Sequence, residues 1–249
     1  MLATLRAILV AINFVVSTTL LGGCLLIALI LRLKDRPGMP ADWVPRWWGK
    51  THIWLSGVRI IEHGVENKQG GGIVFVANHL GNFDVFALAA RLSWMKFVAK
   101  AELFRVPILG QAMNQAGMVP LERANRKAAF GAYSVATKRL QMGASIAVYP
   151  EGTRGEAYPL RPFKKGPFVM AIQAQAPIVP VLIHGALEVQ RKGELKVYPG
   201  TMHMHYLPPI PTAGLDYDQR EALARKAYEA MAECLLKEYG IASPPFRGA

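Results

Sequence analysis

Cysteine is scarce in this chain of 249 residues, which contains only Cys24 and Cys234. The two lie far apart in unrelated contexts, so they form no disulfide framework and suit a reducing, cytosolic environment. Acidic residues are also few, 17 against 29 Lys and Arg, which gives a formal net charge of +12. A charge of this sign calls for an anionic partner, which could be nucleic acid, a membrane surface or a phosphorylated substrate.

Nucleic acid is not expected as the partner, because the sequence has no recognisable nucleic-acid-binding signature and no aromatic pattern of that kind in its basic cluster over residues 121–170. The chain from Val58 onward also lacks repeats, low-complexity tracts and long linkers. These absences leave a membrane surface or a phosphorylated small molecule as the anionic partner.

The N-terminal region holds an uncharged run over residues 7–31, bounded by Arg6 and Arg32. Its 25 residues are enough to cross a hydrocarbon layer about 30 Å thick. The run is too long for a secretory signal and stays apolar after Cys24, where a lipoprotein would turn polar. We therefore expect a retained anchor, either spanning or re-entrant. The basic residues after it predict that the rest of the chain lies on the cytoplasmic face of the cell inner membrane.

Residues 42–57 contain four of the five tryptophans, together with Arg46 and Lys50. One interpretation is an amphipathic helix in the headgroup layer, where Trp, Lys and Arg are favoured. The other is a helix whose aromatic stripe packs on the following domain. In either case we expect two regions, membrane-anchoring and interfacial helices over residues 1–57 and one domain over residues 58–249.

Strand-like and helix-like segments alternate through residues 58–249. The predicted strands are 60–62, 73–77, 96–99, 118–121, 145–149, 178–183, 194–198 and 202–206. The predicted helices are 85–92, 108–116, 124–141, 166–175 and 218–238. Several strands are continuously apolar, which predicts an α/β fold with a mixed, largely parallel sheet flanked by helices.

A histidine and a carboxylate, His79 and Asp84, follow the apolar strand 73–77. Gly81 and Asn82 allow the chain to turn before a helix begins near Phe83. This places His79 at the end of a strand and Asp84 in the first turn of a helix, where the two can hydrogen-bond. A histidine held in this way can take a proton from a hydroxyl. The alternative is a structural histidine beside the acid of a helix N-terminus.

Two cations, Lys100 and Arg123, each follow a short apolar strand, at the sheet edge where ligands collect in α/β folds. They could bind a phosphate or be solvated surface charges. A third strand ends in Pro150-Glu151-Gly152-Thr153-Arg154, where Gly152 allows a turn. We expect this turn to direct Glu151 and Arg154 towards the same opening. There Glu151 could accept a hydrogen bond from a polyol hydroxyl.

These blocks, in this order, resemble the glycerolipid acyltransferase family, and within it the lysophosphatidic acid acyltransferases. The matching segments are Asn78-His79 with Asp84, residues 100–110, 117–123 and 150–154, and the strand containing Pro177 and Pro180. The resemblance covers roughly residues 58–210. One departure is Glu122, which stands where family members often have Asp.

The resemblance implies roles for individual residues. It implies that His79 is the general base, that Asp84 orients it, and that residues 58–249 form the catalytic domain. It implies a substrate-binding set of Lys100, Arg123, Glu151, Gly152, Thr153 and Arg154, with Arg123 and Lys100 at the phosphate. Backbone N–H groups near Gly81 and Asn82 would stabilise the oxyanion.

The implied reaction is transfer of a fatty acyl group from acyl-CoA or acyl carrier protein to lysophosphatidic acid at a membrane, giving phosphatidic acid without a cofactor. Another lysolipid, such as a lyso-ornithine lipid or lysophosphatidylglycerol, or glycerol 3-phosphate could instead be the acceptor. A membrane esterase would need a Ser or Cys nucleophile, and no Ser lies in the His79 turn. A non-catalytic module that binds anionic lipid would not need His79.

A metal site is not expected from the sequence. His203 and His205 lie on one face of a predicted strand, but no nearby carboxylate or Cys completes a ligand set. We interpret them, and His52, His63 and His184, as structural residues.

Overall fold

A computed structural model describes residues 1–122 and 126–248. The helices are α1 Leu2–Ile30, α2 Pro40–Ser56, α3 Asn82–Arg91, α4 Leu109–Gln115, α5 Arg126–Gln141, α6 Gly166–Ala174, α7 Ala186–Val189 and α8 Arg220–Tyr239. The strands are β1 Val58–His63, β2 Val74–Ala77, β3 Met95–Lys100, β4 Val119–Leu121, β5 Ser145–Val148, β6 Ile178–His184 and β7 Gly200–Tyr206.

The strands form one sheet in the order β1-β7-β6-β2-β5-β3-β4. Neighbouring strands are parallel except β6 and β7, which are antiparallel. The predicted α/β fold with a mixed, largely parallel sheet is therefore confirmed. Strand β2 lies at the centre of the sheet, between β6 and β5.

Both faces of the sheet are covered, which explains the continuously apolar strands. Successive side chains of a strand point to opposite faces, and β2 shows the result. Phe75 and Ala77 pack in a core shared with α2 and α3, whereas Val74 and Val76 pack in a core shared with α5, α6 and α8. Each of these four β2 residues is at most 2% exposed.

The N-terminal helices pack on the first of these cores. Helix α1 lies against α2, and α2 lies against α3. The Trp48 ring on α2 contacts Phe14 of α1 and Phe86 of α3, at centroid distances of 5.8 and 5.0 Å. Trp47 and Trp54 on the same helix are exposed. The packing interpretation therefore holds for the face of α2 that carries Trp48, whereas Trp47 and Trp54 lie on an exposed face, for which the headgroup interpretation stays a prediction.

Helix α1 is long and apolar enough to cross a membrane, a test of length and composition that a soluble core helix or a signal sequence also passes. Only 28% of its most apolar window is buried. Its exposed side chains include many large apolar ones, among them Leu5, Ile12, Leu20 and Ile27. This helix therefore presents an apolar surface outward and does not serve as a core helix.

A buried ion pair ties the segment between α1 and α2 to the sheet. The Lys96 side chain on β3 is fully buried, and its Nζ lies 2.8 Å from Asp35 Oδ1 and donates to the carbonyl oxygen of Ala116 at 2.8 Å. Arg139 on α5 approaches the other Asp35 oxygen at 3.4 Å. The connection between the N-terminal helices is thus anchored by charge as well as by packing.

One predicted strand is wrong, the one over residues 194–198. This segment runs without regular structure along the protein surface, and Leu195 is 86% exposed. Its hydrogen bonds join it to separate places, from Val197 N to Ala3 O and from Tyr198 N to Val189 O. The segment is not a strand of the described sheet, in which β1 lies beside β7.

Candidate active site

The predicted contact between His79 and Asp84 is present at the C-terminal end of β2. His79 lies two residues after the strand, and Asp84 is the third residue of α3. One carboxylate oxygen, Asp84 Oδ2, lies 3.0 Å from His79 Nδ1. The same oxygen accepts hydrogen bonds from the backbone N–H groups of Leu80 at 2.6 Å and Gly81 at 2.8 Å. Asp84 is fully buried, so its position is set by the turn it closes.

The hydrogen bond to Asp84 sets the tautomer of His79. A carboxylate can only accept, so Nδ1 carries the proton and Nε2 keeps a lone pair. The His79 side chain is 13% exposed, which leaves one edge accessible. Its ring stacks on Tyr149 at a centroid distance of 4.0 Å. Burial, with a further contribution from the Asp84 charge, raises the Tyr149 pKa well above its ordinary value, so the phenol stays neutral.

Glu151 lies behind His79, and the prediction that it faces the site opening is wrong. The residue is 6% exposed, and its carboxyl group accepts hydrogen bonds from the backbone N–H groups of His79 and Arg161. Burial, only partly offset by the Arg161 charge, raises its pKa to about 8. The His79 carbonyl oxygen in turn accepts from Gly155 N at 2.7 Å. Two residues of the loop that follows β5, Glu151 and Gly155, therefore hold the backbone of His79 at both its N–H and its C=O.

The rest of the Pro150–Arg154 turn lies beside the start of α3. Gly152 has φ +74°, and a Cβ there would lie 2.8 Å from Cε of Lys164, so the position favours glycine. Thr153 is exposed. The Arg154 guanidinium donates to Asn82 Oδ1 at 3.1 Å, which places a cation against the turn that carries His79.

Of the two predicted cations, Lys100 lies further along the same sheet edge. From β2, the neighbouring strands are β5, then β3, then β4, all parallel, so their C-terminal ends lie side by side. Lys100 ends β3, two strands from β2 and hence about 10 Å away at ~4.8 Å per strand. It is exposed, with its ammonium 3.2 Å from Glu102. Arg123 lies outside the described residues; the strand before it, β4, ends at Leu121.

Asn78 contributes a contact that the sequence analysis did not assign. Its side chain donates to the carbonyl oxygen of Ile183 at 2.9 Å and accepts from the Ile183 N–H at 2.7 Å. This pair of bonds continues the β2–β6 pairing past the last ladder residue, Ala77. The sequence feature that could have indicated this contact is an Asn immediately before a histidine at a strand end. It does not indicate the partner, which is 105 residues away.

The site therefore combines an oriented, partly accessible imidazole with a buried carboxylate and two cations. These cations are Lys100 at the end of β3 and Arg154 in the loop after β5. Such an arrangement can remove a proton from a hydroxyl group. Cations on the same edge can hold an anionic group of the molecule that carries this hydroxyl.

Comparison with known proteins identifies a family. Residues 59–184 match the family model described as Acyltransferase. The enzyme named 1-acyl-sn-glycerol-3-phosphate acyltransferase from Limnanthes alba is 34% identical over 170 residues, which cover 66% of this chain and 59% of the relative. The human enzyme named 1-acyl-sn-glycerol-3-phosphate acyltransferase alpha is 33% identical over 184 residues, covering 72% and 65%. The chain thus spans less than two thirds of the length of these relatives.

A solved structure shares the fold over nearly its whole length. The crystal structure of the 1-acyl-sn-glycerophosphate (LPA) acyltransferase PlsC from Thermotoga maritima aligns with a TM-score of 0.78 and covers 98% of this chain and 97% of that chain. The two sequences are 24% identical, so this likeness concerns architecture.

Proposed function

The chain belongs to the Acyltransferase family, and on that basis we propose that it transfers a fatty acyl group from a thioester donor to the free hydroxyl of lysophosphatidic acid. The product is phosphatidic acid, and the donor is acyl-CoA or acyl carrier protein. The observation that carries the proposal is the His79–Asp84 pair, whose 3.0 Å contact leaves Nε2 of His79 able to accept a proton. The names of the relatives support the choice of acceptor.

In the proposed mechanism His79 acts as general base and then as general acid. Nε2 removes the proton of the acceptor hydroxyl as its oxygen attacks the thioester carbonyl carbon. The tetrahedral intermediate collapses with cleavage of the C–S bond, and the imidazolium returns the proton to the departing thiolate. The buried Asp84 carboxylate stabilises the imidazolium between these two steps and keeps the ring in place. The transfer is direct and requires no acyl-enzyme.

Of the two donors first expected, near Gly81 and Asn82, the Gly81 N–H is not free for the oxyanion of the intermediate. The N–H groups of Leu80 and Gly81 already donate to Asp84 Oδ2, so they are engaged in holding the carboxylate. The N-terminus of α3, which begins at Asn82, carries a partial positive charge beside His79. We assign the oxyanion to this end of α3.

The acceptor phosphate is proposed to bind along the strand ends. Arg154 is the cation attached to the His79 turn, through Asn82, and Gly152 and Thr153 shape the loop that carries it. Lys100 must release Glu102 to bind phosphate, which is inexpensive because an exposed ion pair contributes about 0–1 kcal/mol. Arg123 keeps the phosphate-binding role that the family resemblance implies. Glu151 is assigned a positioning role behind His79.

The proposed location is the cytoplasmic face of the cell inner membrane. Both the acceptor and the product carry an acyl chain, so the site has to reach a bilayer. The exposed apolar side chains of α1 and the exposed Trp47 and Trp54 of α2 are suited to the hydrocarbon and headgroup layers. Lys50 lies over the Trp47 ring at 5.1 Å, a pairing that suits an anionic interface.

An assay of the purified chain tests the proposal. Lysophosphatidic acid, lysophosphatidylglycerol, a lyso-ornithine lipid and glycerol 3-phosphate are each offered with acyl-CoA and with acyl carrier protein. Phosphatidic acid as the main product is expected, and a preference for another acceptor would replace the substrate while retaining the chemistry. His79→Ala should abolish transfer, while His63→Ala, an exposed histidine distant from the site, should leave it unchanged. Full activity of folded His79→Ala would exclude the mechanism.

A further inference from the structure

Three histidines from two strands meet near one edge of the sheet. His203 and His205 lie two residues apart on β7, so their side chains share a face. His63, the last residue of β1, pairs with His205 in the parallel β1–β7 ladder. The sequence alone brings only His203 and His205 together. The third comes from a strand 140 residues earlier in the chain, and only the β1–β7 pairing brings it into place.

The ring nitrogens are close enough to share one ion. One nitrogen of each of the three lies within 4.8 Å of the others, and His63 Nε2 is 3.1 Å from His203 Nδ1. Two nitrogen ligands of a tetrahedral cation with bonds of about 2.0–2.1 Å are about 3.3–3.4 Å apart. The His63–His203 pair is therefore already near the separation that a metal requires.

The remaining adjustment is a rotation of the exposed His63 ring. His63 stacks on His205 at a centroid distance of 4.2 Å, and its ring must turn out of this stack for both to point at one ion. His63 is exposed, whereas His205 is 7% exposed, so His63 can rotate without disturbing the core. His205 is held from behind, with Nε2 2.7 Å from the Tyr239 hydroxyl on α8. A buried ligand held by an outer partner, together with an exposed ligand that can rotate, suits a site that an ion can enter.

We propose that His63, His203 and His205 form a binding site for a divalent transition-metal ion such as Zn²⁺. Imidazole nitrogen suits Zn²⁺, Ni²⁺ and Cu²⁺, whereas Mg²⁺ and Ca²⁺ take oxygen ligands. Three protein ligands leave a fourth position for water. The ligands lie on β7 and β1, which are two and three strands away from β2, so the site is separate from the proposed catalytic pair.

The ion would act as a clamp on the edge of the sheet. Strand β1 has a single neighbour in the described sheet, β7, and it directly follows α2. A metal joining His63 to β7 would hold β1, and with it the attachment of the N-terminal helices. An ion that binds the folded chain but not the unfolded chain also raises stability by mass action.

The test uses the untagged full-length protein after treatment with a chelator. Titration with Zn²⁺ by calorimetry should show one ion per chain, and Co²⁺ should give the visible absorption of a four-coordinate site. His63→Ala and His203→Ala should each weaken binding by about tenfold or more, on the scale of losses at metal sites. His184→Asn is the matched control, since it removes a neighbouring histidine outside the proposed set and should bind as the wild type does. At the same Zn²⁺ concentration, the Tm of the wild type and of His184→Asn should rise by more than that of His63→Ala.

Three outcomes would overturn the site. These are no stoichiometric binding by the wild type, unchanged affinity in both ligand variants, or an equal loss in His184→Asn. His63 is exposed, so the His63→Ala variant should fold, which keeps the comparison valid even if His203→Ala does not. Acyl transfer by His63→Ala should persist, which separates this proposal from the proposed function.

Discussion

Replacing Asp84 by Asn removes the charge beside His79 while keeping nearly the same shape. The amide oxygen can take the place of Oδ2 and accept from Leu80 N, Gly81 N and His79 Nδ1, which now lie 2.6, 2.8 and 3.0 Å from that oxygen. The amide nitrogen then occupies the place of Oδ1, which is buried and has no hydrogen-bond partner among the described residues. The substitution therefore preserves the His79 tautomer but neutralises its partner.

The expected effect on turnover follows from the loss of imidazolium stabilisation. General-base catalysis contributes roughly 10²–10⁴-fold, equivalent to about 3–5 kcal/mol of activation free energy. We expect kcat of Asp84→Asn to fall by that range, with little change in KM, because the residue is buried and does not reach the acceptor. Stability should fall by about 1–3 kcal/mol, the usual penalty for a buried donor without a partner.

The assay measures initial rates with lysophosphatidic acid at saturating donor, alongside urea unfolding of the same preparation. Asp218→Asn is the matched control, since it neutralises a 94% exposed carboxylate and should alter neither quantity appreciably. A folded Asp84→Asn protein with kcat within a few-fold of the wild type would refute the assigned role. So would a loss confined to KM, because it would place Asp84 in acceptor binding.

Three further predictions concern other residues. Glu151 has a folded-state pKa of about 8, above its unfolded value. Its protonation therefore contributes stability that is fully present below about pH 4.5 and is lost as the pH rises through 8. The free energy of unfolding of Glu151→Gln, measured in urea, should lack this decline. Asp35→Asn leaves the Lys96 ammonium buried without its carboxylate, and should cost about 3–5 kcal/mol in urea unfolding. Lys100→Ala should raise KM for lysophosphatidic acid several-fold without changing stability, because its ion pair with Glu102 is exposed; an unchanged KM would remove Lys100 from the phosphate site.

The His79–Asp84 contact could be predicted from the sequence because everything that creates it is local. An apolar strand, a glycine turn and a helix start follow one another within residues 73–84, and Asp84 closes the turn by accepting Gly81 N–H. The alternation of apolar strands and helices likewise predicted the sheet, because burial on both faces leaves a continuous apolar signature.

The position of Glu151 could not be predicted in the same way. A Glu after a strand and before a glycine is typical of an exposed turn, and its burial depends on β5 lying beside β2, which brings it under the His79 backbone. The buried Lys96 has the same origin, because its partner Asp35 lies 61 residues earlier, beyond α2. Polar residues whose partners come from distant segments carry no local signal, and the histidine cluster that contains His63 belongs to this group.

The contacts around His79 hold this residue rigidly, whereas the proposed phosphate ligand is exposed and can move. Asn78 fastens the end of β2 to β6, and Glu151 and Gly155 fasten the His79 backbone from the β5 side. These bonds are buried or engage backbone, so they fix the imidazole independently of any substrate, as proton transfer over about 3 Å requires. The proposed phosphate ligand Lys100, by contrast, is a long exposed side chain that can follow a lipid headgroup as it arrives. A rigidly held His79 just after a central strand and an exposed Lys100 two strands away are therefore what the proposed acyl transfer to a lipid acceptor would need.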